Sequence, residues 1–191
     1  MPDRIAYIFF ETPVGTCGIA WSATGIAGVQ LPEASEEKTR ARLLRRFPSA
    51  VIEEPGSDVS AAIVAIRALL SGEPADLAFI GLDESGLGDF DRRVYAIART
   101  VPPGETLTYS EIAKRLGDPN AARAVGRSLG ANPWPIVVPC HRVLGADGKV
   151  GGFSAHGGAE TKIRMLGIEK ARTDDRPALF EDLPLAIKPR R

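Results

Sequence analysis

Cys140 and His141 are adjacent in a stretch, residues 132–143, that reads NPWPIVVPCHRV. A cysteine attacks as the thiolate, so a nucleophilic cysteine needs a base or a positive field that lowers the pKa of its thiol. Neighbouring side chains of an extended segment point to opposite faces, so His141 needs a water relay or a turn at Cys140 to act on the sulfur. A carboxylate beyond the imidazole would orient it. The pair is therefore either a nucleophile with its base or a buried structural cysteine beside a chance histidine.

The composition limits what else the chain does. Its 191 residues contain only two cysteines and two histidines, which excludes a disulfide scaffold and a Cys/His zinc cluster, so we expect no bound metal. Cys17 lies in an apolar run without neighbours that would activate it. No apolar run approaches the roughly 18 residues of a membrane span, and the N-terminus lacks a signal-peptide pattern. We expect a cytoplasmic protein with no membrane partner.

The formal net charge of zero hides two unlike regions. Residues 50–91 contain nine acidic residues and one arginine, a net charge of −8, whereas residues 109–170 contain nine basic and five acidic residues, a net charge of +4. A mildly basic second half suits an anionic partner. A solvated surface without a partner explains the same charges.

The first half of the chain is rich in predicted strands. Short β-rich runs separated by turn residues predict an antiparallel meander over 6–10, 16–21 and 26–31. The apolar spacing and end signals predict further elements at 35–47 (a helix with Leu43 and Leu44 inward), 51–52 (a strand), 58–70 (a helix) and 76–82 (a strand). The polar, glycine-rich stretch 83–88 is the predicted linker.

In the second half of the chain, the spacing of the apolar residues becomes that of an α-helix. Phe90, Val94, Ile97 and Ala98 share one face of a predicted helix that ends before Pro102. A helix from Thr108 or Ser110 to Leu116 and a second at 120–129 predict a helix-turn-helix. A buried strand at 136–138 and a closing helix at 160–168 complete this half, and residues 171–191 form a predicted peripheral extension.

Several motifs occur together in this half. Pro139-Cys140-His141-Arg142-Val143, with Asn132-Pro133 before it and Gly151-Gly152-Phe153-Ser154 after it, resembles the signature of the alkylguanine-DNA alkyltransferases, the single-use repair proteins for alkylated DNA. The resemblance extends through TYSEIA at 108–113 and NAARAVG at 120–126. It is strong from about 90 to 170, whereas the N-terminal half resembles the family only in its strand-rich layout and length.

The resemblance implies an α+β protein. Its N-terminal domain, 1–86, would be an antiparallel-sheet, RNase H-like support, and its C-terminal domain, 87–170, would be helical with the helix-turn-helix. The implied partner is double-stranded DNA that carries alkylated guanine, and we expect a monomer. The implied reaction transfers the alkyl group from guanine O6 to the cysteine, and the resulting thioether is not hydrolysed, so each molecule acts once without a cofactor.

Catalytic roles follow from the matching positions. By resemblance, Cys140 is the alkyl acceptor, His141 acts on it through a water, and Glu169 holds His141. Asn132 would brace the turn around the site, and Tyr109 would donate a proton to the departing base.

The resemblance also implies a base pocket and a DNA-binding helix. Ser154 would donate to guanine O6, the carbonyl of Val143 would accept from the exocyclic amine, and Phe153 and Pro135 would form apolar walls. The alkylated base must be flipped out of the duplex, and Arg123 would fill its place in the stack. Three small residues would let the second helix of the pair approach the minor groove: Ala122, Ala124 and Gly126.

Two other functions remain open at this point. A non-catalytic lesion-binding relative would lack the reactive cysteine, which is present here. In a Cys-His hydrolase the histidine must contact the nucleophile, and a histidine directly next to the cysteine in sequence is badly placed for that contact. The loop after Ser154 is longer than the shortest family versions, and we expect His156 to be a surface residue.

Overall fold

The computed structural model describes residues 4–150 and 153–171. The predicted extension at 171–191 therefore lies outside the described residues except for Ala171. The described part contains a mixed four-stranded sheet, a small second sheet and six α-helices, which confirms the α+β class.

The N-terminal sheet has the order β3–β2–β1–β4, with strands at Ala6–Phe10 (β1), Cys17–Trp21 (β2), Ile26–Gln30 (β3) and Val51–Ile52 (β4). Strand β2 pairs antiparallel with both β1 and β3, as predicted for the meander. Strand β4 runs parallel to β1, so the prediction of a wholly antiparallel sheet is wrong. The reason is the helix between β3 and β4, because a crossover returns the chain in the same direction.

Two helices accompany this sheet, and both were predicted. Helix α1, Glu36–Arg46, begins where the Ser35 hydroxyl accepts a hydrogen bond from the Lys38 amide. It buries Leu43 completely, while Leu44 is half-buried. Helix α2 covers Ser57–Leu70 and buries one apolar face in the core.

The predicted strand at 76–82 is not a strand. Its carbonyls face a cation instead of a neighbouring strand, because the Arg99 guanidinium donates to the carbonyls of Leu77, Ala78 and Ile80 at 3.3, 2.9 and 2.9 Å. Only Leu82 forms a bridge, to Ile26.

Four helices and a two-stranded sheet make up the C-terminal half. The helices are α3 (Asp89–Arg99), α4 (Tyr109–Arg115), α5 (Ala122–Gly130) and α6 (Ala159–Ile168), and the parallel strands are β5 (Leu107–Thr108) and β6 (Val143–Leu144), which the sequence analysis missed. Helix α5 starts two residues later than predicted because a 3₁₀ turn, Pro119–Ala121, precedes it.

End signals and apolar faces explain these boundaries. The Thr108 hydroxyl accepts from the Glu111 amide and the Glu111 carboxylate accepts from the Thr108 amide, a reciprocal cap that fixes the start of α4. On α3, Val94 and Ala98 are fully buried, whereas Phe90 at the helix start is 36% exposed, so the predicted apolar face is buried only in part.

The apolar run 136–138 is buried, as predicted, but it turns instead of forming a strand. The Val138 amide donates to the Trp134 carbonyl at 2.8 Å, and Ile136 has a φ of 79°, in the left-handed region. Prolines 133, 135 and 139 lack the amide hydrogens that a strand would need here.

The two halves share one hydrophobic core, which contains residues from Phe10 to Met165. Trp134 joins them, because its indole Nε1 donates to the Ile26 carbonyl at 2.6 Å and its ring packs edge-on against Tyr95 with centroids 5.9 Å apart. The segment that leads to Cys140 is therefore fixed against the N-terminal sheet.

Candidate active site

Cys140 lies at the start of a single 3₁₀ turn, Cys140–Arg142, one of the two arrangements that the sequence analysis required for His141 to act on it. The Cys140 amide donates to the Val138 carbonyl at 2.8 Å, and the Arg142 amide donates to the Pro139 carbonyl at 2.9 Å. Cys140 is only 6% exposed, and the His141 side chain is fully buried. The turn places both side chains inside the protein.

Asn132 contacts the sulfur directly. Its side-chain Nδ2 donates to the Val138 carbonyl at 2.8 Å and to Cys140 Sγ at 3.2 Å, and its Oδ1 accepts from the Trp134 amide at 2.9 Å. The amide thus braces the turn, as expected from the resemblance, and also provides a donor that stabilises a thiolate.

Lys162 is a buried cation that the sequence analysis missed. It lies on α6, is 1% exposed, and donates from Nζ to the Val143 carbonyl at 2.5 Å. Burial raises the pKa of the Cys140 thiol, whereas the Asn132 hydrogen bond and the positive charge of Lys162 lower it. Burial lowers the pKa of Lys162, and the charge of Cys140 opposes that effect. Sulfur and ammonium therefore each stabilise the charged form of the other.

Glu169 holds the imidazole of His141 and is itself held by Arg142. His141 Nε2 lies 2.9 Å from Glu169 Oε1, and Arg142 donates to both carboxylate oxygens, from Nε at 2.9 Å and Nη2 at 2.8 Å. A third Arg142 bond, from Nη1, reaches the Val101 carbonyl at 2.6 Å. Burial alone would raise the pKa of Glu169, but hydrogen bonds from His141 and Arg142 lower it to about 2.

This arrangement selects the tautomer of His141. An ionised carboxylate only accepts hydrogen bonds, so the proton of the neutral imidazole lies on Nε2 and the lone pair lies on Nδ1. Nδ1 is buried and has no hydrogen-bond partner within the described part of the chain. Burial lowers the pKa of His141, and Glu169 opposes that effect. His141 is therefore neutral at pH 7, with Nδ1 available to accept a proton.

Tyr109 belongs to the same cluster. The Lys162 ammonium lies 5.7 Å from the centroid of the Tyr109 ring, and burial together with the negative charge of Cys140 raises the pKa of the phenol. The raised pKa keeps the phenol protonated at neutral pH. The Val143 carbonyl, expected to accept from the guanine amine, already accepts from Lys162 and has one further lone pair.

The other residues predicted for the base pocket are less buried than Cys140. Ser154 is exposed, and the hydrogen bond at this residue joins its carbonyl to Arg42 Nη2, at 2.8 Å. Phe153 and Pro135 are half-buried, and Phe153 packs against the main core.

Helix α5 places its small residues and its arginines at the surface. Ala122, Ala124 and Gly126 are half-buried, and Arg123 and Arg127 are exposed. A Cβ built at Gly126 would lie 3.9 Å from the Tyr109 ring, so α5 is in contact with the first residue of α4. The exposed face of α5 therefore adjoins the reactive cluster.

The other cysteine is inert by comparison. Cys17 is fully buried, and burial raises the pKa of its thiol to about 12.

His156 is exposed, as expected, with Nδ1 3.7 Å from Glu33 Oε2. Across residues 4–150 and 153–171, no three His, Cys, Asp or Glu side chains are grouped to hold a metal ion, and no helix has the length and apolar character needed to cross a membrane.

One feature of the sequence could have indicated that Lys162 is a buried cation. Lys162, Met165 and Leu166 are spaced at i, i+3 and i+4 and are all buried, so the lysine lies on the apolar stripe of α6. A charged residue at such a position needs a buried partner. Arg142 gave no comparable signal, because its partners Val101 and Glu169 lie 41 and 27 residues away.

The chain is similar to known proteins in sequence and in fold. The family described as "6-O-methylguanine DNA methyltransferase, DNA binding domain" matches residues 89–171. A methylated-DNA–protein-cysteine methyltransferase of Mycobacterium tuberculosis H37Rv is 36% identical over 177 residues, which cover 93% of this chain and 99% of the relative. One of Methanothermobacter thermautotrophicus is 32% identical over 157 residues, which cover 82% of this chain and 81% of the relative.

Solved structures agree with this relationship. The structure of Mycobacterium tuberculosis OGT in complex with DNA has a TM-score of 0.68 and 33% identity, and the match covers 86% of this chain and 92% of that one. Identity above 30% over nearly the whole length of a relative, together with the shared fold, leads to one conclusion. The chain belongs to the methylated-DNA–protein-cysteine methyltransferase family.

Proposed function

We propose that this protein repairs O6-alkylguanine in duplex DNA by transferring the alkyl group irreversibly to Sγ of its own Cys140. The observation that carries the proposal is the contact of the buried Cys140 sulfur with the Asn132 amide. The charge of Lys162 also lowers the pKa of this thiol, and the next residue in the chain is His141, held by Glu169. These groups stabilise a thiolate without a metal ligand or a second nucleophile. A hydrolase would need a path for water to the alkylated sulfur, and a thioether does not hydrolyse at neutral pH.

The transfer is a direct displacement. Sγ attacks the alkyl carbon, an S–C bond forms, and the bond between that carbon and guanine O6 breaks. The thiol proton passes to His141 Nδ1 by the water relay that the family resemblance implies, and Glu169 stabilises the resulting imidazolium. The bond electrons leave with the guanine, which takes a proton from Tyr109 and departs as the neutral base.

The base pocket completes this proposal. Ser154 donates to guanine O6, the free lone pair of the Val143 carbonyl accepts from the exocyclic amine, and Phe153 and Pro135 form the apolar walls. Lys162 fixes the Val143 carbonyl at 2.5 Å and so orients it. All four pocket assignments rest on the family motif.

DNA is the partner of this chain, and α4 and α5 are the elements proposed to bind it. The two helices are joined by the short connection that includes Pro119–Ala121, and we assign them as a helix-turn-helix. Arg123, exposed at the start of α5, enters the base stack when the alkylated nucleotide flips out. The small residues of α5 let the helix approach the minor groove, and phosphate contacts need no particular base sequence.

The same proposal covers the domain organisation. Residues 1–86, with the sheet order β3–β2–β1–β4, form an RNase H-like support, residues 87–170 bind DNA and accept the alkyl group, and residues 171–191 extend the chain. The protein acts as a monomer, since one Cys140 site contains every group that the displacement uses.

The mass of the Cys140 peptide tests the function. After the protein is mixed with a duplex containing O6-methylguanine, we expect one methyl increment on this peptide and none on the Cys17 peptide. The Cys140→Ala variant should bind the duplex and remain unmodified. Tight binding by the wild-type protein without any increment would instead identify a non-catalytic lesion binder, and repeated turnover without an increment would identify a hydrolase.

A further inference from the structure

The loop that carries Ser154 is held by the N-terminal half of the chain. Arg42, on α1, donates from Nη2 to the Ser154 carbonyl at 2.8 Å, across 112 residues of sequence. Its other terminal nitrogen, Nη1, donates to Glu33 Oε1 at 2.5 Å. The guanidinium thus bridges a carboxylate of the N-terminal half and a backbone carbonyl of the loop.

Glu33 is itself held in place by neighbouring residues. Its side chain is 13% exposed, and its amide donates to the hydroxyl of Thr39, a buried residue of α1, at 2.9 Å. Its second oxygen, Oε2, lies 3.7 Å from Nδ1 of His156, two residues beyond Ser154. The Arg42–Glu33 pair therefore contacts the loop at two points.

Packing supports the loop on both sides of Ser154, because Phe153 and Ala155 contact the main core, but its hydrogen bonds are local apart from those to the Arg42–Glu33 pair. Gly157 and Gly158 have φ values of 83° and 54°, and Ser154, His156 and Gly157 are exposed. Within the described residues, further hydrogen bonds of the loop stay inside it or reach the start of α6: Gly158 amide to Ala155 carbonyl, Thr161 hydroxyl to His156 carbonyl, Glu160 amide to Gly157 carbonyl and Lys162 amide to Gly158 carbonyl. None of these bonds involves Ser154, whose carbonyl is held by Arg42.

We infer that Arg42 is a positioning residue of the base pocket, which sets the place of Ser154 for its hydrogen bond to the alkylated base. The inference rests on the role of Ser154 in the proposed function. Arg42 acts through the loop backbone and does not touch the reacting atoms. A planar guanidinium suits this task because it directs two donors at fixed angles, to Glu33 and to Ser154 at once.

The test compares single-turnover methyl transfer from an O6-methylguanine duplex to Cys140 in the wild type and in Arg42→Met, which keeps the apolar stem. We expect the maximal rate at saturating duplex to fall about tenfold, the size of one lost charge-assisted hydrogen bond at a partly exposed site. The half-saturating DNA concentration should stay unchanged. Arg45→Met, an exposed position on the same helix, should transfer at the wild-type rate.

Two further measurements separate positioning from general damage. Iodoacetamide reacts with Cys140 without the base pocket, so its rate should be the same in Arg42→Met and the wild type. In a Ser154→Ala background, Arg42→Met should slow transfer little further, because the two residues act on the same step. Arg42→Lys keeps a positive charge and a hydrogen-bond donor, so it should transfer the methyl group faster than Arg42→Met. It provides a second variant in case Arg42→Met folds poorly.

Each outcome is decisive. An unchanged transfer rate in Arg42→Met, or an equal loss of iodoacetamide reactivity, would overturn the positioning role and leave the proposed function intact. Failure of the wild-type protein to gain a methyl group on Cys140 would overturn both.

Discussion

Asn132 Nδ2 donates a hydrogen bond to Cys140 Sγ at 3.2 Å while it also holds the Val138 carbonyl at 2.8 Å. One amide group thus shapes the turn and stabilises negative charge on the sulfur. Burial is the largest effect on the pKa of Cys140 and raises it above its ordinary value, and the Asn132 hydrogen bond opposes that increase. The reactivity of the site therefore depends on a few polar contacts that act against its own burial.

Replacement of Asn132 should weaken the nucleophile. In Asn132→Ala the sulfur loses its donor, so the pKa of the Cys140 thiol should increase and methyl transfer should slow by at least about tenfold. The pH dependence of iodoacetamide reaction measures the thiol pKa, and the mass of the Cys140 peptide measures transfer. Asn120→Ala, at an exposed position, is the matched control. A thiol pKa equal to that of the wild type would contradict the assigned contact.

Lys162→Met should have a similar effect through charge. Methionine fills much of the same buried space without the ammonium, so the pKa of Cys140 should increase and the transfer rate should fall about tenfold. The Val143 carbonyl loses its donor as well, which should cost about 1–3 kcal/mol of unfolding free energy. Lys114→Met, at an exposed position of α4, serves as the comparison in urea unfolding and transfer assays. Wild-type reactivity in Lys162→Met would show that this cation does not act on the sulfur.

The His141–Glu169 pair should make the protein sensitive to acid. A folded-state pKa of about 2 for Glu169, against an ordinary value of 4.5, means that its stabilising effect is present above pH 4.5 and is lost as the pH falls towards 2. The lowered pKa of His141 acts in the same direction below 6.5, because the unfolded chain takes up that proton first. Urea midpoints should therefore fall steadily from pH 7 to pH 3.

Glu169→Gln isolates the contribution of the carboxylate. The variant leaves the buried Arg142 without its counter-charge, so we expect a loss of about 3–5 kcal/mol at pH 7 and a shallower decline between pH 4.5 and pH 2. Glu160→Gln, at an exposed position in the first turn of α6, should follow the wild-type curve. An acid profile of Glu169→Gln parallel to that of the wild type would rule out this carboxylate as the source of the acid sensitivity.

Arg123 should matter only when a base must leave a duplex. In Arg123→Ala we expect slower methyl transfer from duplex DNA, by about tenfold or more given a stacking cost of a few kcal/mol, and an unchanged rate with iodoacetamide. Arg127→Ala, which removes an exposed arginine from the same helix, should weaken binding slightly without this selectivity. Full duplex repair by Arg123→Ala would remove the assigned role.

Local signals in the sequence were sufficient for much of the fold. The helix expected to begin at Thr108 or Ser110 and the antiparallel strands of the meander depend on neighbours within a few residues, and the structure confirms both, with Thr108 as the cap. The strand expected at 76–82 is absent, and carbonyls of this segment accept hydrogen bonds from Arg99, which is 17 or more residues away. Apolar periodicity cannot show such a distant donor.

The site shows the same division. The motif drew attention to Cys140, His141 and Asn132, and the structure places the first two in one 3₁₀ turn with the Asn132 amide in contact with the sulfur. The contacts of Lys162 with Val143 and of Arg42 with Ser154 join elements 19 and 112 residues apart, so they arise only from tertiary packing. A local sequence motif is therefore sufficient to identify the nucleophile. The charged side chains that act on the site can be identified only from the tertiary structure.

The left-handed backbone of Ile136 has a consequence for the whole chain. A buried β-branched residue at a φ of 79° costs of the order of 1–3 kcal/mol, and only its surroundings keep it there. Those surroundings include the N-terminal sheet, through the bond from Trp134 to the Ile26 carbonyl. The N-terminal half thus helps to hold the strained segment that leads to Cys140, so the geometry at the sulfur depends on both halves of the chain.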